Sequence, residues 1–314
     1  MTIERVMVAG GGTLGSQIAY QTAFKGIPVT IYDINETAIT AAKNRVATWD
    51  RAYQHDIEAT PADIEMTHRC LSYSTDLATA VANADLVIEA IPEIVHVKND
   101  FYAALARVAP AKTIFVTNTS TYLPSDFAAV SGRPEKFLAL HFANHIWVNT
   151  IAEVMGHAGT SAAAYNTVVD FATYIGMVTI QLKKEQSGYV INSLLVPFLA
   201  AGAQLWAKGV ADPETVDRTW MIATHSPLGP FAIFDAVGLR TAYNILMDLG
   251  KRTEHPGIIM AAEKLQHDLL DQGKLGQESG TGFYTYPNPA YKQPDFLAGK
   301  QLDLNGKEMD LMTE

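Results

Sequence analysis

The segment that most restricts what this chain can fold into lies at its start. An apolar run of strand length, Ile3–Val8, leads into GGGTLG and then into a helix-length segment, Leu14–Lys25. Glycines at 10, 12 and 15 give the spacing G-x-G-x-x-G between a strand and a helix. Gly10 suits a tight turn, Gly12 lets backbone approach a pyrophosphate, and Gly15 lets the helix pack closely on the strand. Thr13 and Leu14 fall within the same candidate cofactor-binding loop. Glycine-rich turns are common, so context decides. The next strand, PVTIYD, ends in Asp33, where a carboxylate can accept from an adenosine ribose and repel a 2′-phosphate. Ile34, Asn35 and Glu36 follow, with no arginine among them. The pattern predicts NAD(H) rather than NADP(H), a turn-capping role for Asp33 being the alternative.

Apolar strand-length runs continue to alternate with helix-length segments to about residue 182. Asp85–Ala90, Thr113–Val116 and Phe137–His141 are continuous apolar runs of the buried parallel kind. Val97–Val108 is helical between two of them, and Glu36–Ala52 is helical earlier. This alternation predicts an α/β fold, a Rossmann-type doubly wound parallel sheet. Near KKEQSG (183–188) the strand pattern stops. Tyr189–Lys208 reads as a long helix, apolar on all sides and therefore buried. Asp212-Pro213 starts another, with Asp as N-cap and Pro at the first helical position. Helices are also expected at Gly238–Leu249 and Ile258–Gln272. The expected division is an NAD-binding domain over 1–184, a smaller all-helical domain over 185–286 for substrate and dimer contacts, and an extended tail over 287–314.

Composition narrows the partners. A net charge of −10 argues against nucleic acid and against an anionic membrane. The only cysteine is Cys70, so an intrachain disulfide and a cysteine-based zinc cluster are both excluded. The histidines and carboxylates lack metal-site spacing, and no metal is expected. The longest apolar stretch, Leu194–Trp206, is interrupted by Pro197, Gly202 and Gln204 and is short for a membrane span. A strand pattern beginning at Ile3 leaves no room for a signal peptide ahead of it. A cytoplasmic location and a small-molecule partner are the expectation.

Seven stretches, in order, carry a resemblance: DLVIEAIPE (85–93), NTST (118–121), LHFAN (140–144), AEVM (152–155), GYVINSLLVPF (188–198), PLGPFAIFDAVGL (227–239) and GTGFYTY (280–286). The chain resembles the 3-hydroxyacyl-CoA dehydrogenase family, 3-hydroxybutyryl-CoA dehydrogenases of fatty acid metabolism included, and within it the diketoreductase branch. The resemblance implies an NAD-dependent oxidoreductase interconverting 3-hydroxy and 3-oxo groups. By position it implies Ser120, His141, Glu153 and Asn192 as catalytic residues. It also implies Glu93, Lys98, Ser120 and Asn144 as contacts to the nicotinamide half of NAD, and a homodimer formed through the helical domain.

The residues themselves suit that chemistry. Removing a proton from a secondary alcohol needs a base titrating near neutral pH, and His141 stands at a strand end where ligands of open α/β sheets collect. If Phe137–His141 and Ile151–Met155 pair as strands, Glu153 reaches His141 and fixes its tautomer, as an acid does behind a catalytic histidine elsewhere. Ser120 and Asn192 can hydrogen-bond the substrate oxygen. On the residues alone, a packing histidine, a turn serine and a backbone-bonding asparagine remain open.

The chain also departs from the acyl-CoA pattern. Asn144 is followed by His145-Ile146-Trp147 where the family usually has proline, and Thr150 stands at a lysine position. A region usually lysine-rich carries Lys43, Arg45, Trp49 and Arg51, then an acidic loop with Asp56, Glu58, Asp63 and Glu65. Gln277 and Glu278 replace basic residues. These changes disfavour the phosphates of CoA, so that of two substrates left open, a short acyl-CoA and a CoA-free keto ester or acid, the second has the better physical support. A carnitine- or sugar-acid-type 3-dehydrogenase, with Arg218 or Arg240 as carboxylate binder, is one alternative. A non-catalytic NAD-binding structural or sensing protein is the other.

Overall fold

A computed structural model describes residues 2–298. Its contacts divide the chain into two compact units, 1–191 and 192–314. The first runs β1 (Val6–Ala9), α1 (Thr13–Phe24), β2 (Val29–Tyr32), α2 (Glu36–Asp56), α3 (Pro61–Cys70), β3 (Leu71–Ser74), α4 (Leu77–Val81), β4 (Leu86–Glu89), α5 (Val95–Val108), β5 (Ile114–Thr117), α6 (Pro124–Ala128), β6 (Phe137–Phe142), β7 (Ile151–Met155), α7 (Ala162–Tyr174) and β8 (Val178–Leu182). Eight strands form one sheet in the order β3-β2-β1-β4-β5-β6-β7-β8. Every neighbouring pair is parallel except β6 and β7.

The central strands are buried along their whole length, which explains their unbroken apolar composition: helices cover both faces. One apolar cluster, around Val8, Ile31, Ile88 and Leu140, lies with α1 and α7. Another, around Met7, Val87, Phe115 and Phe137, lies with α4, α5 and α6. Strand order reverses between β1 and β4, and that switch point is where open α/β sheets form their ligand crevice.

One reading of this unit is corrected. The acidic stretch after residue 52 is not a loop. α2 continues to Asp56 and α3 follows, started by a capping box in which Thr60 Oγ1 accepts from the Asp63 amide and Asp63 accepts from the Thr60 amide. β3 then pairs with β2 at the sheet edge, where partial burial leaves LSYS without an apolar signature.

The second unit contains most of α8 (Ile191–Ala207), then α9 (Pro213–Thr224), α10 (Pro230–Val237), α11 (Leu239–Arg252) and α12 (Pro256–Asp268). Asp212 caps α9 with Pro213 at its start. By contacts, the division between units falls in the first turn of α8. α8 is also not buried on all sides. Leu199, Ala200, Gly202 and Ala203 pack inward, while Leu194 is 70% exposed and Leu205 40%. Nor is the chain after Pro287 an extended tail throughout. Tyr291 and Phe296 are buried in the helical unit's core, so two aromatic anchors tie down an otherwise polar segment. Residues 299–314 of that expected tail lie outside the described residues.

Candidate active site

The loop after β1 fits a dinucleotide. Gly10 has φ +97°, and a Cβ there would meet the Ala90 carbonyl oxygen at 2.5 Å. A Cβ on Gly15 would lie 2.0 Å from the Gly10 oxygen, so α1 can approach β1 only without a side chain. At Gly12 a Cβ would meet nothing within 4 Å. The chain has left open space where a phosphate would sit, at the start of a helix. Asp33 directly follows the next strand, β2. Its Oδ2 accepts from the Gly11 amide at 2.8 Å and its Oδ1 from the Ile34 amide at 2.8 Å. Asp33 therefore orders the glycine loop, and each oxygen keeps a second acceptor site for a ribose hydroxyl.

A cleft of about 270 Å³ opens beside this loop, lined by Gly12, Thr13, Leu14 and Gly15 on one side and by Glu93, Lys98 and Ser120 on the other. Its far wall is a charged network. Glu89, fully buried at the end of β4, accepts from Lys98 Nζ at 2.6 Å, Tyr102 Oη at 2.7 Å and Thr117 Oγ1 at 2.8 Å. Lys98 also lies 3.0 Å from Glu93 Oε2. Burial raises the Glu93 pKa, but the hydrogen bond from Thr119, the Lys98 charge and the bond from Thr121 outweigh it and hold the carboxyl below its ordinary value. Glu93 is thus an anion at the cleft. A larger surface cavity of about 510 Å³, lined by His157, Lys183 and Lys184, shares no residue with this cleft. Its histidine is already engaged with the Pro134 carbonyl and the Gly159 amide.

Ser120 follows β5, His141 lies in β6 and Glu153 in β7. The antiparallel register sets His141 directly opposite Glu153, so the two side chains share one face of the sheet. His141 Nδ1 is 2.9 Å from Glu153 Oε2, and His141 Nε2 is 3.1 Å from Ser120 Oγ. Glu153 is 0% exposed and His141 6%. The other carboxylate oxygen of Glu153 accepts from the amides of Val190 at 2.8 Å and Ile191 at 3.0 Å. Glu153 thus accepts three donors, and with His141 Nδ1 donating to it, Nε2 is left toward Ser120.

The remaining expected residues are placed less tightly. Asn144 sits exposed in the loop after β6, its carbonyl accepting from Asn149 Nδ2 at 2.6 Å. Asn192 is the first residue of the second unit, next in sequence to Ile191. The loop between them and β7 is held by Trp147, which is buried, donates Nε1 to Asp56 Oδ2 at 2.7 Å and packs on Trp49 and Tyr53 at ring distances of 5.4 and 5.3 Å.

Sequence reasoning did not single out Tyr189. Its ring stacks on His141 at 4.5 Å and 15°, on a left-handed backbone (φ 54°). The signal available was Gly188, also at positive φ, directly before it. Arg45, grouped at first with Lys43 and Arg51 where the family is lysine-rich, donates Nη1 to the Gly11 carbonyl at 3.1 Å.

The chain is similar to known proteins over both of its units. Residues 5–186 match the family model for the 3-hydroxyacyl-CoA dehydrogenase NAD binding domain, and residues 188–286 match that for the 3-hydroxyacyl-CoA dehydrogenase C-terminal domain. The mitochondrial hydroxyacyl-coenzyme A dehydrogenase of Mus musculus is 32% identical over 90% of this chain and 91% of its own length. A probable 3-hydroxybutyryl-CoA dehydrogenase of Bacillus subtilis is 32% identical over 91% of this chain and 98% of its own. Among solved structures, a diketoreductase described as performing substrate-directed dual catalysis of dicarbonyl compounds is 52% identical, with a TM-score of 0.87 over 91% of this chain and all of the other. With both domain models matched in order over a glycine loop and sheet of this form, the chain belongs to the 3-hydroxyacyl-CoA dehydrogenase family, NAD-dependent oxidoreductases acting on CH–OH groups.

Proposed function

We propose that this protein interconverts a 3-hydroxy and a 3-oxo group on a CoA-free keto ester or acid, using NAD(H). The observation that carries the reading is the bonded row Ser120–His141–Glu153 beside the glycine-loop cleft. When bound, the nicotinamide supplies the hydride acceptor or donor. His141 Nε2 takes the proton from the alcohol oxygen in oxidation and returns it in reduction. Glu153 stabilises the imidazolium formed on the way. Ser120 donates to the substrate oxygen, and Asn192 adds a second hydrogen bond. Glu93, Lys98 and Asn144 border the nicotinamide half, and Asp33 takes the adenosine ribose.

A Ser-His-Glu row also serves nucleophilic serines in hydrolases. Here the amides of Thr121 and Tyr122, which follow Ser120, both donate to Thr119 Oγ1. Those donors are not free for an oxyanion, which favours the redox reading.

The CoA-free choice rests on the surroundings of α2. Trp147 and Asp56 fill the region between the His141 loop and α2, and Arg45 is turned to the glycine loop. Arg69 pairs with Glu65 at 2.5 Å. Few cations stay available for CoA phosphates there. For a carnitine- or sugar-acid-type enzyme, Arg218 is a poor carboxylate binder, because its Nε donates to the Phe296 carbonyl at 2.6 Å and its guanidinium lies on that ring.

A homodimer through the helical unit fits the exposure of Leu194, Val210 and Ile222, at 70%, 66% and 50%. A cytoplasmic location fits a chain with a single cysteine. Among the described residues no helix is long and apolar enough to cross a membrane.

The deciding experiment compares kcat/KM for acetoacetyl-CoA with that for a CoA-free 3-oxo ester. The ester is expected to win by about tenfold or more, the scale of losing one charge-assisted phosphate contact. A clear preference for the thioester would overturn the substrate half of the reading. His141→Ala should cut turnover by about 10³-fold or more while NADH still binds; retained turnover would remove the base assignment.

A further inference from the structure

Two opposite charges hold the central glycine of the loop. The Gly11 amide donates to Asp33 Oδ2 at 2.8 Å, and the Gly11 carbonyl accepts from Arg45 Nη1 at 3.1 Å. The second bond matters for the next residue. The Gly11 carbonyl and the Gly12 amide belong to one planar trans peptide, so they point in opposite directions. A guanidinium on the carbonyl therefore turns the Gly12 N–H away from α2. Among the described residues that N–H meets no acceptor, and the space at Gly12 is open.

We infer that Arg45 is a positioning residue for cofactor binding: it fixes the 11–12 peptide plane so that the Gly12 amide faces the pyrophosphate. This rests on the dinucleotide reading of the glycine loop. Without Arg45 the peptide can rotate, because glycine on both sides leaves it few steric restraints. The Gly12 amide then has to be reoriented each time the pyrophosphate binds, and affinity falls. Arg45 stands in the middle of α2, which is anchored to the rest of the unit by buried Ile39, Ala42, Val46 and Tyr53. The donor is thus carried by a rigid element rather than by the loop it organises.

Calorimetric binding of NADH and of ADP-ribose to the full chain tests this, with Arg45→Met and Arg45→Lys. Both ligands carry the pyrophosphate; only one carries nicotinamide. Arg45→Met should weaken both by the same factor, about tenfold, the scale of one hydrogen bond from a charged donor. Arg45→Lys, which keeps one charged donor, should recover most of that. In Arg45→Met, kcat at saturating NADH should stay within about twofold of wild type, with the loss confined to KM. The Met-to-wild-type ratio should also persist in about 0.5 M salt, where a remote charge is screened but a local hydrogen bond is not. Equal affinities for Arg45→Met and wild type would overturn the inference. So would a ratio that vanishes in salt, a loss seen for NADH but not ADP-ribose, or a gain in NADPH binding that matches the NADH loss. Failure of the wild type to bind ADP-ribose would instead overturn the dinucleotide reading, and the inference with it.

Discussion

Each unit buries carboxylates that accept backbone amides. In the first, Glu153 accepts from Val190 and Ile191 and then from the ring of His141. In the second, Asp217 accepts from the amides of Phe231 and Ala232 and from Tyr284 Oη, each at 2.8 Å. Asp235 accepts from the amides of Phe283 and Tyr284 and from Tyr286 Oη. A Cβ on Gly282 would lie 2.0 Å from Asp235 Oδ1, so GTGFYTY carries glycine where the backbone meets that carboxylate. The bonding is alike and the last partner differs. Glu153 ends on the imidazole of His141, whose other nitrogen faces Ser120. The two aspartates end on tyrosines, whose ionisation burial pushes far upward. The first arrangement leads to Ser120 at the cleft; the second fastens the segment after α12 to α9 and α10.

The largest effect should come from the first arrangement. Glu153→Gln keeps the shape but offers an amide to two backbone amides and an imidazole, and it removes the charge behind His141. Turnover should fall by about 10³- to 10⁴-fold, by analogy with removing the acid behind a catalytic histidine. Steady-state kinetics beside NADH titration would check it; turnover within tenfold of wild type would erase the contrast between the units. Asp235→Asn should do the reverse. Leaving buried donors without an ionised acceptor should cost about 2–3 kcal/mol of stability, read as a lower midpoint in urea unfolding. Turnover per folded molecule should stay within about twofold. A collapse of kcat in a variant that unfolds like wild type would mean that Asp235 serves chemistry after all.

How far each arrangement was legible in the sequence follows from the same contrast. His141 and Glu153 could be paired in advance because strand period and antiparallel register dictate which side chains face each other. The glycine loop and Asp33 were legible for a similar reason, since their roles are set by backbone geometry over a short stretch. Tyr189, Arg45 and the two aspartates were not. Each depends on contacts between residues far apart in sequence, such as Asp235 with Phe283 or Arg45 with Gly11, and no local periodicity encodes them. α3 is a different case. Thr60-Pro61-Ala62-Asp63 is a helix start written in the sequence, and its acidic character concealed it. In the last segment, Tyr291 and Phe296 are too far apart to look like an element, yet both reach the core.

The smallest expected effect tests the carboxyl of Asp217 directly. Burial pushes Asp217 up to about 6, against the bonds from Phe231, Tyr284 and Ala232 that pull it down. Its ordinary value is 3.8. The folded state therefore binds a proton at Asp217 more tightly than the unfolded state does. This contribution favours folding fully below pH 3.8 and is lost as pH rises through about 6. At about 1.4 kcal/mol per pH unit it is worth at most about 3 kcal/mol, less where neighbouring carboxylates titrate with it. Asp217→Asn has no proton to lose. The stability difference between wild type and Asp217→Asn should therefore drift against wild type between pH 4 and 7, then level off. Urea midpoints at intervals across that range would measure it. Parallel profiles would mean that the three donors, rather than burial, govern this carboxyl.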